Sequence, residues 1–169
     1  MKKLTALLLS VTMLLTMCLS VSAESFTSHN VTVSVNGKQY QTVAYPMSGS
    51  ENGIKLRDIA AMLNGTNVQF NVTWQAPNTV NIEKGSSYAA NGTELQLGDG
   101  SVKEGAYSEH QFLVDGEYSG IEGNNIAGNN YLPLESFLYN TFGIIPQPDE
   151  NGVIVINTEG IQGGGIDEH

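Results

Sequence analysis

Apolar positions along this chain follow two spacings, and both return about half a chain length later. Val31, Val33 and Val35 alternate with Thr32 and Ser34, the period of a strand with one buried face. Asn36-Gly37 follows, a pair that accepts positive φ at both positions of a tight hairpin turn, and residues 39 to 45 read as the returning strand. Beyond a loop rich in Gly, Ser and Asn from Pro46 to Gly53, the residues Leu56, Ile59, Ala60 and Leu63 fall at i, i+3, i+4 and i+7. That spacing lays four apolar side chains along one stripe of a helix. Asn64-Gly65 ends it, because glycine enters the left-handed conformation without a steric penalty. Val68, Phe70, Val72 and Trp74 then alternate with Gln69, Asn71 and Thr73, and after a turn at Gln75 to Asn78 the run Thr79 to Glu83 points Val80 and Ile82 inward. On this pattern Trp74 shares the core side of its strand with Phe70.

The same order then recurs. Glu24 to Asn30 is a polar lead-in to the first copy, and Asn91-Gly92 predicts a hairpin ahead of Thr93 to Leu97 in the joining segment, with a further turn at Gly98-Asp99-Gly100. The second copy opens with Gln111 to Val114, turns at Asp115-Gly116 and crosses a Gly- and Asn-rich cluster at residues 123 to 130. Pro133 suits the first turn of a helix, where its missing N–H has no partner to lose. Leu134, Phe137 and Leu138 repeat the stripe, and Gly143 takes the stopping role of Gly65. Val153 to Ile156 is apolar throughout, which predicts a central strand covered on both faces. The two helix starts, Leu56 and Leu134, lie 78 residues apart and the two turns, Asn36 and Asp115, lie 79 apart. The closing strands, at Ile82 and Ile156, lie 74 apart, so the elements keep their order while loops absorb the differences, as in a repeated supersecondary unit. The expected fold class is α+β: two related β-β-α-β-β halves, about residues 31–84 and 110–158, with short helices packed on antiparallel sheet.

Composition adds compartment and surface. Lys2 and Lys3 precede an apolar run from Leu4 to about Leu19 and then Val21-Ser22-Ala23, the pattern of a secretory signal peptide over residues 1–23. The run is short for a membrane-spanning helix and lacks a basic flank beyond it. The domain would then occupy residues 24–159, followed by a flexible tail at 160–169 with three successive glycines. Cys18 is the single cysteine and lies in that leader; Met17 before it argues against lipid attachment, which wants a small residue there. The exported domain therefore relies on its core, without disulfides. Seven basic residues stand against seventeen acidic ones, and cleavage would remove two of the basic residues and none of the acids. A surface so acidic disfavours nucleic acid and anionic membranes as partners, and no membrane insertion is expected after signal cleavage.

Asn52-Gly53-Ile54-Lys55-Leu56-Arg57-Asp58-Ile59-Ala60 and Gly128-Asn129-Asn130-Tyr131-Leu132-Pro133-Leu134-Glu135-Ser136-Phe137 resemble the repeated core of the copper amine oxidase N-terminal domain-like family, the stalk domains. The resemblance runs from about Val31 to Asn157. It implies a small α+β module of exported proteins of Gram-positive bacteria, standing alone or beside cell-wall hydrolases, and it implies no reaction. Glu135-Ser136 in the second copy replaces Arg57-Asp58 of the first, so a charged contact shared by both copies is not expected.

Candidate chemistry is sparse. His29, His110 and His169 form no close pair, and Asn130-Tyr131 is followed by Leu132 rather than an acid, so neither a copper site nor a tyrosine-derived quinone is expected. The histidines read as solvated surface residues. Asp149-Glu150-Asn151-Gly152 and Asp99-Gly100 offer oxygen ligands, but neither continues into the spaced acids of a calcium loop, and both read as turns. No nucleophile elbow, P-loop or His-Glu-x-x-His motif is present. Glu104, Glu109, Glu117 and Glu122 are the acids from which a glycosidase pair would have to come, and a solvated face is their simpler reading. Tyr88, Tyr107, Tyr118 and Tyr131 lie near turns, where they suit either sugar stacking or strand packing. The sequons at Asn64 and Asn91 are explained as turns.

The expected function is a non-enzymatic exported interaction or spacer module at the bacterial cell surface, binding cell-wall glycan or another exported protein, with no catalytic residue, metal or cofactor assigned. A wall-acting hydrolase is the alternative, and an inhibitor presenting the Pro46 to Gly53 loop to an exported protease is another. The helix stripe has a direct test: Leu56→Ala should cost about 2–5 kcal/mol through the cavity it leaves, and a thermal melt unmoved by the change would show that the helix does not dock on that face.

Overall fold

The computed structural model describes residues 23–160. The signal peptide and the glycine tail expected from the sequence lie outside the described residues, apart from Ala23 and Gly160. The first half holds β2 (His29–Val35), β3 (Lys38–Pro46), β4 (Asn52–Lys55), α1 (Leu56–Leu63), β5 (Phe70–Gln75) and β6 (Thr79–Lys84). The second holds β8 (Gln111–Val114), β9 (Glu117–Tyr118), β10 (Asn124–Ile126), β11 (Asn129–Pro133), α2 (Leu134–Phe142), β12 (Gln147–Pro148) and β13 (Ile154–Ile156). Two strands fall outside the repeat, β1 (Glu24–Thr27) in the polar lead-in and β7 (Val102–Tyr107) in the joining segment, and they pair with each other. The fold is α+β. Among the described residues a nine-stranded sheet runs β1-β7-β10-β11-β4-β3-β2-β13-β12 and a four-stranded sheet runs β5-β6-β8-β9.

The repeat is visible in how the strands pair. β4 and β11 lie antiparallel at the middle of the large sheet, with Ile54 opposite Leu132, Lys55 opposite Tyr131 and Gly53 opposite Pro133. Ile54 and Leu132 are the same position of the two copies, so a pseudo-twofold axis passes through their pairing. Each half also gives its closing strand to the other. β6 of the first half runs parallel to β8 of the second, Val80 opposite Phe112 and Ile82 opposite Val114. β13 of the second half runs parallel to β2 of the first, Ile154 opposite Val33 and Ile156 opposite Val35. The sheets are therefore mixed, with parallel pairing where the halves interlock.

The hairpin turns act as clasps for this exchange. Asn36-Gly37 and Asp115-Gly116 take positive φ at both positions, as their residue types predict. The Asn36 N–H donates to the Ile156 carbonyl at 3.0 Å, and its Oδ1 accepts the Thr158 N–H at 2.8 Å. In the other copy the Asp115 N–H donates to the Ile82 carbonyl at 2.9 Å, and its Oδ1 accepts the Lys84 N–H at 2.8 Å. An Asx side chain at this position thus ties one half's opening turn to the other half's closing strand.

The main core lies between the sheets and the two helices. Leu56, Ile59, Ala60 and Leu63 are buried on one side of the pseudo-axis, and Leu134, Phe137 and Leu138 on the other. Phe70 meets the Phe137 ring edge-on at 5.6 Å between centroids, a favoured arrangement of ring quadrupoles. α2 stops at Gly143, whose left-handed backbone lets its N–H reach the Leu138 and Tyr139 carbonyls. A second cluster of Phe26, Val43, Tyr45, Ile126 and Tyr131 is separate from this core.

Several expectations need correction. Val153 to Ile156 is not covered on both faces: Val155 is 37% exposed between buried Ile154 and Ile156, because β13 sits one strand in from the sheet edge. Thr93 to Leu97 forms no strand after Asn91-Gly92; its backbone is held mainly by side chains. Pro133 closes β11 instead of opening α2, which begins at Leu134. No helix among the described residues is long and apolar enough to cross a membrane.

Because each half completes the other's sheet, neither should fold alone. Residues 24–100 and 101–160 made as separate chains should each lack cooperative melting, and mixing them should restore it; an independently folded half, seen by circular dichroism, would contradict the exchanged pairing.

Candidate functional site

A groove of about 420 Å³ opens between the start of α1, β5 and the β10–β11 hairpin. Its position follows from the repeat. In the first half β3 and β4 are joined by the loop Met47 to Glu51, whereas in the second β10 and β11 are joined by the two-residue turn Ala127-Gly128, with φ of 48° and 79°. The long loop reaches the start of α2. Its Glu51 carboxylate accepts the Ser136 N–H at 3.1 Å and the Ser136 hydroxyl at 2.6 Å, which satisfies a helix N–H that has no partner within the helix. The short turn does not reach α1 in this way, and the space it leaves is the groove.

The walls carry the chemistry. Trp74 closes one side, 53% exposed, with its ring set edge-on to His110 at 4.8 Å between centroids. It was expected in the core, but β5 runs outward, so burial falls from Phe70 at one end to Trp74 and Gln75 at the other. His110 was expected to be a solvated surface residue and instead is half-buried, with Nδ1 at 2.8 Å from Asn130 Oδ1. The same oxygen accepts the Ser108 hydroxyl at 3.1 Å. Asn130 thus ties His110 and Ser108 together at the groove wall. Asn125, Gly128 and Asn129 of the hairpin form the opposite wall.

Two cations stand at the groove and they differ in freedom. Lys55 is buried, with Nζ at 3.1 Å from Asp58 Oδ1 and donating to the Thr93 carbonyl at 2.6 Å. Asp58 is fully buried and also accepts the Thr42 hydroxyl at 2.5 Å. A buried ion pair of this kind costs several kcal/mol when one partner is lost, so Lys55 is committed to the fold. Arg57, the chain's single arginine, donates through Nη1 to the Tyr88 hydroxyl at 3.3 Å, one of the five N–H groups of a guanidinium. Tyr88 in turn donates to Glu94 at 2.5 Å. No Asp or Glu lines the groove.

Comparison of the halves shows which of these groups the repeat does not require. Trp74 pairs with Val80 as Pro148 pairs with Ile154, so Pro148 is the counterpart of Trp74. Glu135 is the counterpart of Arg57, and Glu51 that of Asn129. The equivalent of the groove is thus closed and acidic around α2, while the helix stripes, Leu56, Ile59 and Ala60 against Leu134, Phe137 and Leu138, stay apolar and buried in both halves.

The other candidates are scattered. Glu104, Glu109, Glu117 and Glu122 are all exposed, and none lines the groove. Tyr107 and Tyr118 are exposed, whereas Tyr88 and Tyr131 are buried. His29 holds Asn52 Oδ1 at 2.8 Å, and His169 lies outside the described residues. Among the described residues no three His, Cys, Asp or Glu side chains gather as a metal site. Asp149 Oδ1 accepts the N–H groups of Asn151 and Val153, and Asp99 Oδ1 that of Ser101, as turns do. No protein-family model, curated protein or solved structure matches this chain.

Two acids near the grooves shift in opposite directions. Burial pushes Glu94 upward, but the Tyr88 hydroxyl and the Asn91 and Gly92 N–H groups outweigh it and hold the carboxyl at about 2. Burial, joined by the neighbouring Glu51 carboxylate, raises Glu135, whose Oε2 has no hydrogen-bond partner. The contribution of Glu94 is therefore present above its ordinary 4.5 and is lost as pH falls toward about 2. The penalty at Glu135 is absent in acid and appears as pH rises through its raised value. Glu135→Gln should raise the melting temperature at pH 7 and leave it unchanged near pH ~3.5, whereas Glu94→Gln should lower it at pH 7; melts that moved the other way would reject these assignments.

Proposed function

We propose that this chain is a non-enzymatic exported binding module of the bacterial cell surface, belonging to the stalk-domain family it resembles, and that its groove receives a sugar ring of cell-wall glycan. The observation that carries the reading is Trp74, an indole half exposed in a groove whose other wall is made of asparagine amides. A sugar presents an apolar C–H face and a rim of hydroxyls, and an aromatic face with amides around it complements both. The divergence of Trp74 from Pro148 within the repeat supports a role other than packing.

Binding is favoured over hydrolysis because two-carboxylate chemistry needs a pair of acids about 5–10 Å apart flanking the bond, and the groove lining holds none. The inhibitor reading loses support from the Pro46 to Gly53 loop itself, since Glu51 is held on Ser136 and Gly53 is paired within β4.

Trp74 is the only tryptophan in the chain, so its emission reports on the groove alone. Titration with soluble peptidoglycan fragments should shift that emission to the blue and saturate, and Trp74→Ala should weaken cosedimentation with purified peptidoglycan by about tenfold, the upper range for one aromatic contact. Release of reducing ends by the wild-type protein would instead point to the hydrolase.

A further inference from the structure

We infer that the sugar taken by the groove carries a carboxylate, and that Arg57 binds it. This rests on the glycan reading and adds its charge class. The chain is acidic, with seventeen carboxylates against seven cations, so its overall field repels an anionic ligand. The groove runs against that field: it is lined by Lys55, Arg57 and His110 and by no acid. Lys55 is spent on Asp58 and Thr93, which leaves Arg57 as the cation able to meet a ligand. Its tie to Tyr88 through Nη1 fixes the guanidinium while using a single donor, and the planar fork of the group suits a carboxylate.

The other half supplies an internal comparison. At the corresponding place around α2 a carboxylate is already seated, that of Glu51, with its oxygens on the Ser136 N–H and hydroxyl. There the side chain at the Arg57 position is Glu135, a second acid beside Glu51, whose carboxyl is raised by burial first and by the Glu51 carboxylate after it. Around α1 the counterpart of Glu51 is the neutral Asn129, and the acid opposite it is replaced by Arg57. The chain thus fills one groove with its own carboxylate. In the other an amide, Asn129, stands where that carboxylate does and a cation, Arg57, stands where Glu135 does, while the counterpart of Ser136 is Asp58, which Lys55 neutralises; a cation facing a neutral wall suits a ligand carboxylate.

The test uses three ligands against the full domain, followed by Trp74 emission: a neutral chitobiose, the disaccharide in which one ring bears a lactyl carboxylate, and an oligogalacturonate. The expected result is that an acidic sugar binds at least about tenfold tighter than chitobiose, the scale of one charge-assisted hydrogen-bond pair. Arg57→Gln should bring the acidic and neutral affinities together. Since that variant also breaks the Tyr88 contact, the wild-type protein gives an independent readout: the preference should shrink as salt rises from about 0.01 M to about 1 M and the screening length falls. A preference for the lactyl sugar alone places the source in peptidoglycan, and one for the uronic oligomer places it in acidic polysaccharide. Equal binding of neutral and acidic sugars would overturn the carboxylate inference and leave the groove reading standing. No response to any sugar would overturn both.

Discussion

The antiparallel pairing of β4 with β11, with Ile54 opposite Leu132, is the constraint on which the rest of the molecule depends. It sets the two copies of the repeat about a pseudo-twofold axis and delivers both helices from adjacent central strands. Both side chains are fully buried, and a shift of register by one residue would turn every neighbour on those strands to the opposite face. With this pair fixed, each closing strand joins the other half's opening strand as well as its own neighbour. The turns at Asn36 and Asp115 then hold them there.

This interlocking explains why a domain without a disulfide among its described residues can hold two short helices of eight and nine residues. Helices of that length are marginal alone and draw their stability from packing. Here each buries its apolar stripe in a core to which both halves contribute, so the cost of ordering one half is recovered only when the other is present. The arrangement also creates two equivalent hollows beside the helix starts. One is closed by the five-residue loop that carries Glu51. The other stays open because its hairpin turns in two residues, and the differences that gather there, at Arg57, Trp74 and Asn129, are differences in chemistry at positions the core does not constrain.

The open groove was partly visible in the chain. Arg57-Asp58 against Glu135-Ser136 was the one marked departure between the copies, and it does fall at the site, with Asp58 serving the fold and Arg57 facing the groove. Trp74 was read as core because strict alternation assigns a side but not a depth; β5 is the edge strand of its sheet, and though Trp74 is paired with Val80 its end of the strand lies at the groove rather than in the core. His110 gave no local signal, since its partner Asn130 and its neighbour Trp74 come from other elements. Lining up the two copies residue by residue, so that Trp74 meets Pro148, is the signal that would have found both walls.

Periodicity and turn chemistry therefore determined the elements, their order, the helix stripes and the duplication, because these depend on contacts between near neighbours in the chain and on the φ each residue tolerates. Which strand joins which, and hence the exchange of β6 and β13 between halves, the strands made by Glu24–Thr27 and Val102–Tyr107, and the meeting of Trp74, His110 and Arg57, were decided only by the tertiary structure. Their partners are set by long-range hydrogen bonding and by the volume left over once the core has packed, and neither is written in local spacing.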